Sequence, residues 1–165
     1  MKHLKKFYFM IREFVDTYDI KSISDVIFNI KYNFTDDDGN DYLVLFKNDK
    51  VGPKSKPIIG NSYELTWYVW DNDIDDWSVT KIVNSNVWKT LHTVFGVIVE
   101  DFITKNTFVT EIRFEGLAKE IEKEFVTQRT KLYLRHLKNN PVSGFRVENF
   151  GTNRIILIKI KKWYE

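Results

Sequence analysis

Val26-Ile27-Phe28-Asn29-Ile30-Lys31-Tyr32-Asn33-Phe34, followed by Asp36-Asp37-Asp38-Gly39-Asn40 and then Tyr42-Leu43-Val44-Leu45-Phe46-Lys47, is the stretch that decides the fold. Phe28, Ile30, Tyr32 and Phe34 alternate with Asn29, Lys31 and Asn33, which is the period of a strand with one face buried. The Asp-rich run ending in Gly39-Asn40 is a turn, because those two residues tolerate the positive φ of a tight reversal, and Tyr42–Lys47 is the returning strand. An antiparallel hairpin therefore stands near the start of the chain.

Working outward, Leu4, Phe7, Ile11, Phe14 or Val15, and Tyr18 recur at three- to four-residue spacing and predict an amphipathic N-terminal helix over 3–18. Residues 48–62 hold Gly52, Pro53, Pro57 and Gly60 without apolar periodicity and read as a loop. Tyr63–Trp70 and Trp77–Val83 predict two more strands around the polar turn Asp71–Asp76, completing a four-stranded antiparallel meander. A long helix follows, capped by Asn84 or Ser85, with Val87, Leu91, Val94, Phe95, Ile98 and Phe102 on one face. Phe108–Phe114 is a strand, and a further helix forms best over 124–139, ended by Pro141 and Gly144. Phe145–Phe150 and Arg154–Trp163 close the chain as a hairpin. The expected architecture is a single α+β domain over 1–165: N-terminal helix, meander, helix, strand, helix, closing hairpin.

With 43% apolar and 16% aromatic residues in 165, the chain has ample material for one core. Its 25 basic residues nearly cancel 23 acidic ones, so no global field draws it onto nucleic acid or an anionic membrane. Cysteine is absent, which excludes disulfides, thiolate nucleophiles and Cys-based metal sites. The basic run Lys2–Lys6 precedes only five apolar residues before Arg12, too few for a signal peptide, and no run reaches a membrane span of about 18 residues.

The chemical constellations are sparse. Asp71-Asn72-Asp73-Ile74-Asp75-Asp76 places oxygens as a calcium loop does, but Asp76 stands where the bend needs Gly and Ile82 where a bidentate Glu should close the site, so no metal is expected. His3, His92 and His136 lie far apart without i, i+4 pairing and read as structural. Glu100-Asp101 and Glu120, Glu122 and Glu124 read as solvated helix faces. No Gly-x-Ser-x-Gly elbow is present. Trp67, Tyr68, Trp70 and Trp77 crowd one hairpin; since neighbours in a strand face opposite ways, one aromatic face is a candidate contact surface. Arg146, Arg154, Lys159, Lys161, Lys162 and Trp163 on the closing hairpin could track a phosphate backbone, although lysines on an edge strand also prevent aggregation.

The order of segments over 26–163 resembles the GCN5-related acyltransferase superfamily, which uses acetyl-coenzyme A. Lys131-Leu132-Tyr133-Leu134-Arg135-His136-Leu137 followed by Gly144-Phe145 is similar to that family's Leu-Tyr-x-x-x-Gly-Phe ending, with seven extra residues before the Gly-Phe. The resemblance implies that Tyr133 protonates the leaving thiolate and that the diphosphate sits at the start of the long helix, at Ser85 and Asn86. The family's glycines are missing from Val83-Asn84-Ser85-Asn86-Val87-Trp88, so no cofactor is expected. The chain also resembles small tailed-bacteriophage proteins that pair a helix like Val94–Ile103 with one like Arg129–Tyr133. The expected function is that of a noncatalytic bacteriophage virion or accessory protein, in the virion or host cytoplasm, contacting other phage proteins or itself, with neither nucleic acid nor membrane as partner. A divergent acetyl-coenzyme A-dependent acyltransferase and an anion or nucleic-acid binding module are the alternatives.

Overall fold

The alternation read around residue 30 becomes real pairing. In a computed structural model describing residues 16–22, 29–48, 61–79, 81, 83, 86–116 and 126–161, strands β1 (Lys21–Ser22), β2 (Asn29–Thr35), β3 (Asp41–Asn48) and β4 (Ser62–Asp71) lie side by side, all antiparallel. Tyr32 faces Val44 and Phe34 faces Tyr42 across the first hairpin. Gly39 takes φ +82° in its turn, and Asp36 fastens it by accepting the amides of Asp38 and Asn40.

β5 (Asp76–Ser78) turns back against the end of β4. The chain then forms helix α1 over 87–105, in three continuous pieces: α-helical Val87–Leu91, π-helical His92–Val99 and α-helical Glu100–Lys105. β6 (Glu111–Glu115), helix α2 (Gln128–Asn139), β7 (Phe145–Glu148) and β8 (Arg154–Lys159) complete an eight-stranded sheet in the order β1-β2-β3-β4-β6-β8-β7, with β5 on β4. The fold is α+β, its sheet antiparallel except where β6 lies parallel to β4.

The core sits between α1, α2 and one face of the sheet. Phe46 stacks on Phe102 at 3.9 Å between ring centres, Phe95 meets Phe114 at 5.1 Å, and Tyr32 donates its hydroxyl to Asp101 of α1 at 2.9 Å. Odd-numbered residues of β4 (Tyr63, Leu65, Trp67 and Val69) face this core, and even-numbered ones face away.

Several expectations are corrected. The strand expected over 77–83 stops at Ser78, because Ser78 Oγ accepts the amide of Lys81 at 3.0 Å and bends the chain away. The cap of α1 is Asn86, whose side chain accepts the Lys89 amide at 3.1 Å; positions 84 and 85 lie outside the described residues. Val87, assigned to the buried face, is 40% exposed. α2 begins at Gln128, capped by Thr127. The N-terminal helix lies mostly outside the described residues; its expected last turn, Asp16 to Tyr18, is not helical, and Tyr18 is instead pinned by its amide to Thr93 and stacked on Phe34. Strand residues 26–28, the loop at 49–60 and Glu120, Glu122 and Glu124 also fall outside them. Among the described residues no helix is long and apolar enough to cross a membrane.

Candidate functional site

β4 has two different neighbours on one edge. Residues 62–64 pair with β6 and residues 69–71 pair with β5, and neither strand reaches Leu65 to Tyr68. The sheet forks there. A cleft of about 70 Å³ opens in the fork, lined by Glu64, Thr66, Trp67, Val79, Glu115, Arg129 and Tyr133. Trp67 and Tyr133 meet at 4.9 Å between ring centres, with Phe95 and Phe114 behind Trp67. Arg129 donates to the carbonyls of Val79 and Lys81 at 2.7 and 3.1 Å, tying α2 across the cleft to the segment after β5.

Tyr133, the residue the motif singled out, therefore does line a cleft. Burial pushes its hydroxyl up to about 12, against a smaller opposing pull from Arg129, so it keeps its proton at neutral pH. The other half of the acyltransferase expectation is less well served. Ser85 lies outside the described residues. Asn86 spends its side chain on capping α1, and Lys89 in the first turn is held by both Asp16 and Asp37 at 3.2 Å. Two carboxylates beside a helix start oppose a diphosphate, which seeks positive charge there.

The four aromatics of the hairpin part company. Trp67 enters the core, whereas Tyr68 and Trp70 face the other side of the sheet. Trp70 is paired directly with Trp77, ring centres 5.4 Å apart and nearly perpendicular, both half-buried. At the tip of the same hairpin Ile74 is 61% exposed. The acidic turn is organised by its own backbone: Asp71 accepts the Asp73 amide and bridges to Lys81, and Asp75 sits at φ 52°. Among the described residues no group of three His, Asp or Glu is arranged to hold a metal.

Three of the closing hairpin's basic residues are engaged by neighbouring groups. Arg146 is bound to Glu148 at 2.8 Å, Arg154 to Glu115 at 3.0 Å, and Lys159 to the Thr107 carbonyl at 2.6 Å. Lys161 is exposed; Lys162 and Trp163 lie outside the described residues. Glu100 and Asp101, expected to be solvated, instead accept the Ser143 amide and the Tyr32 hydroxyl.

Two of the histidines, read as structural from their separation in sequence, meet in space. His92 of α1 and His136 of α2 lie with ring centres 4.7 Å apart, His136 flanked also by Phe95 and Trp88. His136 is 1% exposed, and among the described residues neither ring nitrogen has a hydrogen-bond partner. Burial, and secondarily His92, pulls it down to about 4; burial also lowers His92. Their 44-residue separation hides the pair from any reading by spacing.

Comparison of the chain with protein-family models, with curated proteins and with solved structures gives no match.

Proposed function

We propose that the chain is a noncatalytic contact domain with an acyltransferase-like fold, serving as a bacteriophage virion or accessory component. The observation that carries this reading is the β4–β5 hairpin: the Trp70–Trp77 pair stands half-buried on the face away from the helices, beneath an exposed Ile74. Half-buried aromatics beside an exposed aliphatic tip are the composition of an interface core. The order of segments, meander, helix, strand, helix and hairpin, supports the acyltransferase-like fold, and the carboxylates around Lys89 speak against a bound coenzyme. Contacts are to other phage proteins or to a second copy. Mixing the purified chain with virion structural proteins tests this. Association that is lost in Trp70→Ala and Trp77→Ala, with folding intact, is the expected result; a monomer absent from virions and accessory complexes would sink it.

A second reading has its own observation. Tyr133 lines the fork of the sheet and keeps its hydroxyl proton at neutral pH, as the leaving-group acid of an acyltransferase must. Calorimetry with acetyl-coenzyme A decides it: saturable heat supports the transferase, and its absence removes it.

A further inference from the structure

The Trp88–His92–His136 corner, away from the hairpin and the fork, is used by neither reading above. Three features converge on it. His136 is a buried side chain with both ring nitrogens unpaired among the described residues, an arrangement that is rare in folded proteins and calls for a use. His92 meets it from the facing helix at 4.7 Å between ring centres, the planes inclined at 70°. And His92 opens the π-helical stretch His92–Val99, a rare geometry that recurs at functional sites because the wider turn re-aims the side chains around it.

We infer that His92 and His136 form a binding site for a divalent transition-metal ion such as zinc. The spacing suits it: with Zn–N distances of about 2.0–2.1 Å, two imidazoles on one tetrahedral ion have ring centres roughly 5 Å apart. Imidazole nitrogen is a favoured ligand for this class of metal, in its neutral form only. His92 is only half-buried and Trp88, beside His136, is 39% exposed, so an ion reaches the pair by displacing one surface side chain. No third His, Asp or Glu among the described residues completes the set, so the remaining coordination positions fall to water or to an external ligand.

Titrating the full chain with cobalt(II) at pH 7.5, followed by visible absorption and then by displacement with zinc(II), tests the site. The expected result is saturable binding of one cobalt per chain that zinc reverses. His92→Ala, at a half-buried position, and His136→Leu, which fills the apolar pocket, each weaken binding by more than the roughly 10–100-fold lost when a residue that merely orients a ligand is removed. His3→Ala leaves it unchanged. Absence of a cobalt spectrum up to millimolar metal overturns the inference, as does binding that survives in His92→Ala or His136→Leu, or that disappears in His3→Ala.

Discussion

The two ends of α2 bury polar groups in opposite ways. At its start, Thr127 donates to the Gly116 carbonyl and accepts the Thr130 amide, while Asn153 receives both the Thr127 amide at 2.8 Å and the Thr130 hydroxyl at 3.0 Å. The network joins the end of β6, the helix start and the β7–β8 turn. Two turns further along the same helix, His136 is as deeply buried and its ring has no hydrogen bond. Buried polar atoms that satisfy one another fix the tertiary structure; a buried ring left unsatisfied weakens it.

The largest effect is expected where the first region is packed most closely. A Cβ on Gly116 would fall 2.3 Å from Thr130 Oγ1 and 2.5 Å from its amide nitrogen, so Gly116→Ala must push α2 off the sheet. A loss of about 3–5 kcal/mol in urea unfolding is expected.

Acid should break the second region next. The folded His136 sits at about 4, below the ordinary 6.5, so between those values the unfolded chain binds a proton that the folded one refuses. Stability is complete above about pH 6.5 and falls as pH drops, by about 3 kcal/mol at pH 4 from this residue, with His92 adding in the same direction. Unfolding midpoints measured across that range in wild type and His136→Leu separate this contribution from that of the carboxylates.

Thr127→Ala removes a helix cap and strands the Gly116 carbonyl, an expected loss of about 2 kcal/mol, most of it restored by Thr127→Ser. The smallest effect sharpens the contrast: His136→Leu at pH 7 should change stability by no more than about 1 kcal/mol, because exchanging an unsatisfied polar ring for an apolar group removes no bond. A loss near that of Thr127→Ala would show that His136 has a hidden partner.

Much of the sheet was legible. The alternation from Asn29 to Phe34, the turn at Gly39 and the return through Phe46 are local signals, and together they became an antiparallel pair. The end of the strand expected over 77–83 was not: the chain bends away after Ser78, and Arg129, about fifty residues later, takes the carbonyls of Val79 and Lys81 that the sequence offered to a longer strand. Tyr133 was found through a motif and does line a cleft. The His92–His136 pair was missed, since neither histidine carries a mark in its own helix that announces the other.

By itself the sequence determined the fold class, the order of elements from Asn29 to Lys159 and the opposition of Trp67 to Tyr68, because periodicity and turn chemistry act over a few residues. Which of those two aromatics enters the core, where the sheet forks and which histidines meet depended on β6 inserting parallel to β4 and on both helices packing against one face. Those are agreements between distant segments, set by the burial of shared apolar surface, and no short window of the chain contains both sides of them.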